Sequence, residues 1–178
     1  MYEELLNFWF HEIDREHWWK KDAAFDQQIV RDYGDLHKRA SRCELFKWRE
    51  TARGCLAEII VLDQFSRHIH RDTPLAFAND PLALALAQQA VATGADRELS
   101  AVERNFLYFP YMHSESPLIH QQAVVLYEQN GLAENLDFEL RHKVIIDRFG
   151  RYPHRNSILN RASTEEELEF LKQPGSSF

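Results

Sequence analysis

The chain contains two related ten-residue segments, residues 63–72 and 147–156, at a constant offset of 84 positions. An aspartate, a phenylalanine, a histidine and two arginines occupy the same places in both copies. The identical pairs are Asp63/Asp147, Phe65/Phe149, Arg67/Arg151, His70/His154 and Arg71/Arg155. Because charges and spacing repeat together, the pattern indicates an internal duplication, and two copies of one unit must pack within one fold.

In both copies an aliphatic stripe with i, i+4, i+7 spacing leads into the aspartate, as expected for a helix face that packs on the core. The stripes are Leu56–Ile60–Asp63 and Leu140–Val144–Asp147. A carboxylate in the last turn of a helix is disfavoured by the helix dipole, so each aspartate needs a cation nearby. The candidates are Arg67, Arg71, Arg151 and Arg155.

Helix start and stop signals recur along the chain, and no segment alternates with the period of a strand. Asp80-Pro81 predicts a helix start with Asp80 as the N-cap, and the run that follows stops at Gly94. Capping boxes are predicted at Ser100 and at Ser163-Thr164. Other helices are predicted over residues 2–12, 22–37 (softened near Gly34), 50–65, 101–109, 117–131 and 135–149. The sequence therefore predicts an all-α protein of about eight helices, forming a single domain over residues 1–178.

The composition limits the cellular compartment and the classes of binding partner that we expect for this protein. The net charge of −7 argues against nucleic-acid binding, and the longest apolar run, Ile59–Leu62, is too short to span a membrane. The first residues lack the features of a secretory signal, and two cysteines do not form a disulfide framework. We therefore expect a protein of the reducing cytoplasm. No phosphate-binding, dinucleotide-binding or metal motif is present, so no cofactor or metal is predicted, and no oligomeric state either.

Basic residues concentrate in the second copy although the chain as a whole is acidic. Five arginines or lysines and one aspartate lie between Arg141 and Arg155. These donors exceed what Asp147 can accept, so we expect the two copies to form a pocket for a small phosphorylated or carboxylated anion. The predicted binding residues are Asp63, Arg67, Arg71, Arg104, Arg148, Arg151, His154, Arg155 and Asn156.

A second constellation, His113-Ser114-Glu115, follows the helix that begins near Ser100. It has the H-x-E spacing of zinc deaminases, but no P-C-x-x-C follows it. His142 lies on a predicted apolar face, where a polar ring needs either a partner or a role. His113, Glu115 and His142 could together supply metal ligands or a general base, and Asp147 is the further candidate, as an orienter or charge partner. The alternative is that the histidines are hydrogen-bonded core residues.

Segments along nearly the whole chain resemble a bacterial family, the domain of unknown function 924. They are Phe8-Trp9-Phe10, Trp19-Lys20-Lys21-Asp22, Leu62-Asp63-Gln64-Phe65-x-Arg67, Ala76-Phe77-Ala78-x-Asp80, Glu103-Arg104-x-Phe106, Pro110-x-x-His113-Ser114-Glu115, Arg148-Phe149-Gly150-Arg151-x-Pro153-His154-Arg155-Asn156 and Ser163-Thr164-x-Glu166-Glu167. The resemblance implies antiparallel helical hairpins like those of tetratricopeptide repeats and implies no particular activity. The chain departs from the family pattern at Ser66, His68 and Asn160, so the first copy is expected to bend differently from the second.

Three functional hypotheses follow. In the first, the anion pocket belongs to a binding protein or an enzyme, in which His113 or His142 would be the acid/base and Asp147 its orienter. In the second, the chain is a helical scaffold that binds a peptide or protein partner, and its charges are structural. RNA binding through arginines and aromatic residues is the weakest hypothesis because of the net charge.

Overall fold

The computed structural model describes residues 1–177, and every regular element among them is helical, as predicted. The α-helices are α1 (Tyr2–Asn7), α2 (Ala23–Ser41), α3 (Ala52–Ile60), α4 (Ser66–Ile69), α5 (Asp80–Thr93), α6 (Ala101–Met112), α7 (Pro117–Asn130), α8 (Ala133–Phe149) and α9 (Glu165–Phe170). Within this described part, no helix combines the length and the apolar character that crossing a bilayer requires.

Local side-chain chemistry determines most helix ends. Ser100 and Thr164 form capping boxes at the starts of α6 and α9, and Gly94 ends α5 with a φ of 77°. These ends confirm the predictions. Two expectations were wrong: α2 continues without interruption past Gly34, and α6 continues through Pro110 to Met112.

Helix α3 is the centre of the core. Apart from Arg53, all of its residues are buried, and it packs against α1, α5 and α6. Leu56 and Ile60 are fully buried, which confirms the predicted stripe of the first copy.

The chain does not leave the helical conformation after Phe65, where the sequence predicted a helix end. It passes through a π-helical turn, Val61–Phe65, and continues into α4. A π turn accommodates one more residue than an α turn, so it changes the direction in which its side chains point. Asp63 and Gln64 lie within this turn and are 0% and 7% exposed.

The second copy of the motif has a different geometry. Gly150, with a φ of 67°, ends α8 directly after Phe149, whereas Ser66 at the same place in the first copy remains helical. Leu140 and Val144 were predicted to face the core but are 43% and 65% exposed. That prediction was wrong because α8 buries its opposite face, which includes Ile145 and Ile146. The internal duplication and the tetratricopeptide-like arrangement remain predictions.

Candidate functional site

The buried carboxylate of Asp63 has three polar partners. Its Oδ1 atom lies 2.7 Å from Nδ1 of His113 and 3.2 Å from Nη1 of Arg67, and its Oδ2 atom accepts a hydrogen bond from the amide of Gln64. Burial alone would raise the pKa of Asp63, but Arg67 and His113 hold it well below its usual value. Asp63 is therefore ionised at neutral pH and accepts a hydrogen from Nδ1 of His113.

Two arginines share the carboxylate of Asp80 at the start of α5. Arg67 binds it through both terminal nitrogens, at 3.0 and 3.1 Å, and Nη1 of Arg155 lies 3.4 Å from Oδ2. The guanidinium of Arg155 also stacks on the rings of Phe77 and Tyr152, 4.5 and 4.7 Å from their centroids. We call His113, Asp63, Arg67, Asp80 and Arg155 the Asp63 cluster. Negative and positive groups alternate along this cluster, and their formal charges cancel.

Among the nitrogen atoms of the Asp63 cluster that have no hydrogen-bond partner in the described residues, two bear on function. One is Nε of Arg155, which is buried on a side chain only 7% exposed. The other is Nε2 of His113, whose side chain is 17% exposed. Burial, reinforced by Arg67, lowers the pKa of His113 against the opposing effect of Asp63. The ring is therefore neutral at neutral pH, and with its hydrogen on Nδ1 it has a free lone pair on Nε2. This is the arrangement of a general base oriented by a carboxylate.

The loop after α6 is bound to the C-terminal segment of the chain. Glu115 accepts a hydrogen bond from the backbone N–H of Tyr152 at 2.7 Å and two from Arg161 at 2.6 and 2.9 Å. Burial opposes the ionisation of Glu115, but Arg161 and the Tyr152 amide lower its pKa overall. Glu115 therefore acts in the structure as an anchor that brings residues 152–161 to His113.

Two further histidines predicted at the site lie beside the Tyr152 ring. His142 is 2.7 Å from the carbonyl of Phe138, and burial lowers its pKa to about 3. The ring of His154 is 5.5 Å from that of Tyr152. Burial, and to a smaller extent the positive charge of Arg155, lowers the pKa of His154 to about 4. Both rings are thus neutral at neutral pH. Among residues 1–177, no three His, Cys, Asp or Glu side chains are placed to hold a metal ion.

Several predicted anion-binding arginines are instead paired with carboxylates outside the Asp63 cluster. Arg71 binds Asp26, Arg148 binds Glu166, and Arg151 binds Glu167. These pairs take up three of the donors that the sequence suggested were in surplus, so of the arginines in the two copies only Arg67 of the first and Arg155 of the second meet in the Asp63 cluster.

Asp147, the counterpart of Asp63, takes no part in the cluster. Its side chain is 47% exposed and pairs with Lys143 one turn earlier, rather than with an arginine of its own copy. Asn156 is buried and donates to Ser163 and Glu167, which is an architectural role. Arg104 lies on α6, and its buried Nε has no hydrogen-bond partner within residues 1–177.

Several residues around the site were not predicted because their partners are distant in the chain. Asp80 was predicted to be an N-cap, but Asn79 takes that place, and the Asp80 carboxylate binds Arg67 and Arg155 instead. The family segment that ends in Asp80 was the available signal. Nothing local marked His120, Glu139, Tyr152 or Arg161, which bind groups 6 to 46 positions away.

A cavity of about 670 Å³ lies apart from the Asp63 cluster, between the segment after α1 and the start of α2. Four carboxylates line it, and none of the predicted site residues does. They are Glu12, Asp14, Asp22 and Asp32. These groups would repel an anion, so the chemistry of the Asp63 cluster identifies the candidate site better than the cavity volume does.

The ion pair between Arg151 and Glu167 predicts that the stability of the protein depends on pH in the acidic range. The hydrogen bonds from Arg151 lower the pKa of Glu167 from 4.5 to about 2. Burial opposes this shift, and the hydrogen bond from the Thr164 amide adds to it. Since the folded-state pKa is depressed, the stabilisation is present above pH 4.5 and is lost as the pH falls towards 2. We expect the unfolding free energy of Glu167→Gln, measured by urea denaturation, to fall less over this range than that of the wild type. Glu166→Gln, at an exposed position, should retain the wild-type slope; parallel curves for all three proteins would contradict the assignment.

Comparisons with known proteins agree with the resemblance seen in the sequence. The model of a family described as bacterial protein of unknown function, DUF924, matches residues 5–175. A solved structure of a protein of unknown function from Agrobacterium tumefaciens is 38% identical, covers 96% of each chain and superimposes with a TM-score of 0.90. No curated protein matches the chain. A match over almost the whole length, together with the same fold in a relative of this identity, shows that the chain belongs to the DUF924 family.

Proposed function

We propose that the chain binds a small carboxylated or phosphorylated molecule at the Asp63 cluster and that His113 exchanges a proton with it. The observation that carries this proposal is the pair of unused nitrogens, Nε of the buried Arg155 and Nε2 of His113. A buried guanidinium N–H without an acceptor is costly, and a bound oxyanion would satisfy it.

The charge balance of the cluster restricts the ligand. Asp63 and Asp80 neutralise Arg67 and Arg155 one for one, so attraction through net charge is weak. Recognition would then depend on a directed hydrogen bond from Arg155, which favours an anion of low charge over a polyanion.

His113 would act on an O–H or N–H group next to the anionic part of the ligand. The proton would move to Nε2, and the imidazolium formed would be stabilised by Asp63 through Nδ1. Arg155 would hold the anionic group in place during this transfer. Such a protein would be a general-base enzyme acting on small acids. We also propose that the protein is located in the cytoplasm.

The experiment is a titration with inorganic phosphate and, separately, with acetate at constant ionic strength, followed through the ring ¹⁵N and ¹H signals of His113. We expect one of the two anions to shift these signals saturably. Loss of one charge-assisted hydrogen bond in Arg155→Gln should weaken that binding by about 10- to 100-fold. His113→Gln has no ring signal to follow, so its binding is measured by calorimetric titration; it should retain binding of the anion, since the anion is held by Arg155.

The matched control is Arg151→Gln, which removes an arginine of the same motif that is already paired with Glu167. This variant should bind the anion as the wild type does. The proposal is wrong if neither anion shifts the His113 signals, or if Arg155→Gln and Arg151→Gln weaken binding equally.

A scaffold that binds a peptide or protein partner is the second candidate. Exposed apolar side chains on α7 and α8 favour it, as does the internal pairing of Arg67 and Arg151. The exposed apolar side chains are Leu118, Val125, Leu140 and Val144. Under this reading, the His113 signals do not respond to either anion.

A further inference from the structure

The two backbone carbonyls on either side of His113 each accept a hydrogen bond from a buried side chain. The hydroxyl of Tyr152, a residue 1% exposed, donates to the carbonyl of Met112 at 2.5 Å. On the other side, Nε2 of the fully buried His120 lies 2.8 Å from the carbonyl of Ser114. A carbonyl can only accept, so Nε2 of His120 carries a hydrogen.

The second ring nitrogen of His120 is held by Glu139 on α8. Nδ1 lies 2.7 Å from Oε1, and neither side chain is exposed. The other carboxyl oxygen of Glu139 has no hydrogen-bond partner among the described residues, and burial raises the pKa of this group. His120 and Glu139 therefore share one hydrogen between Nδ1 and Oε1. The ring cannot rotate without breaking its hydrogen bonds to Glu139 and Ser114 and its 3.3 Å contact with the Tyr152 hydroxyl.

Stability alone does not explain a polar pair at this depth. Replacing buried ionisable pairs with apolar residues of similar volume is often neutral or stabilising, because the desolvation of the pair is avoided. An apolar ring at position 120 would fill the same space but would leave the Ser114 carbonyl without a donor. His120 and Glu139 fix the direction of the Ser114 carbonyl, and Tyr152 fixes the direction of the Met112 carbonyl.

We propose that Tyr152, His120 and Glu139 are positioning residues for His113. They hold the peptide groups at residues 112 and 114, which sets the direction of the His113 side chain so that Nδ1 remains on Asp63 and Nε2 faces the ligand. This inference rests on the proposed role of His113 as a base, but it concerns groups that touch neither the ligand nor Asp63.

The first test compares two tyrosine variants through hydrogen exchange at Nδ1 of His113, measured by NMR without ligand. Tyr152→Phe removes the donor to the Met112 carbonyl and retains the ring beside Arg155. We expect exchange about tenfold faster than in the wild type, the factor that corresponds to the loss of one hydrogen bond. The control Tyr108→Phe removes another buried hydroxyl from the same region, one that donates to Asp96 at 2.7 Å, and should leave this exchange unchanged. Equal rates in the two variants would overturn the proposal.

The second test uses Glu139 and decides the matter if Tyr152→Phe does not fold. In Glu139→Gln the amide can still donate to Nδ1 of His120, so exchange at His113 should match the wild type. In Glu139→Leu the ring loses its partner, and exchange at His113 should accelerate about tenfold. Equal exchange in these two variants would show that Glu139 has no positioning role. Because no ligand is used, a confirmed effect combined with a failed anion titration would retain the positioning and reject the proposed function.

Discussion

Asp63→Ala is expected to lower the free energy of unfolding by about 3 kcal/mol, because it removes one partner of a buried ion pair. The variant leaves Nδ1 of His113 without its acceptor and leaves Arg67 with Asp80 as its remaining carboxylate partner. Urea denaturation monitored by tryptophan fluorescence measures this change. The same variant should also release the His113 ring, so the ring ¹⁵N shifts should move towards a mixture of tautomers.

The matched control for Asp63→Ala is Asp147→Ala, the equivalent substitution in the second copy of the motif. Asp147 is exposed and pairs with Lys143, so this variant should stay within about 0.5 kcal/mol of the wild type. Similar losses in both variants would mean that the two aspartates have equivalent environments, which is opposite to what the structure shows.

Gly54→Ala is expected to cost about 3 kcal/mol, the upper range for overpacking a core. A Cβ atom at this position would lie 2.1 Å from the backbone oxygen of Trp48 and 2.8 Å from Oγ1 of Thr51. The Thr51 side chain caps α3 through the Gly54 amide at 3.0 Å, so the helix start cannot move away without losing its cap. Thermal and urea unfolding measure the loss.

The control for Gly54→Ala is Gly34→Ala, which also replaces a helical glycine. In the part of the chain that the structure describes, no atom lies within 4 Å of the place that a Cβ atom would take at Gly34. The variant is therefore expected to gain about 0.5–1 kcal/mol from the better helix propensity of alanine. If Gly54→Ala were as stable as Gly34→Ala, the close approach of the Trp48 carbonyl would be wrong.

The sequence was most informative about the fold wherever the determining contacts are local. A capping box such as that of Ser100 is closed by residues three positions apart, and Gly150 ends a helix through its own backbone conformation. The burial of Leu56 and the exposure of Leu140 depend instead on which elements pack over each stripe. Periodicity is the same in both copies and does not contain that information.

The sequence predicted the chemical types of the side chains at the candidate site, but not which of the candidate residues come together there. The acidic and basic types pointed to Asp63, His113 and Arg155, and the structure brings these three into one cluster. Asp147 and Arg151 have the same chemistry and lie elsewhere. Asp147 lies on the exposed side of α8, whereas Asp63 lies in the buried π turn. The copies also differ at their ends, since Ser66 lets the first helix continue and Gly150 ends the second.

The π turn at Val61–Phe65 makes the Asp63–His113 pair sensitive to chain length as well as to side-chain identity. Successive residues of an α-helix are rotated by about 100° around its axis, and a π turn accommodates one residue more than an ordinary turn. Deleting a single codon from this stretch would let the helix relax to regular winding and swing the carboxylate away from the imidazole. A deletion of Val61 or Leu62 would retain every reactive side chain and still lose the pair.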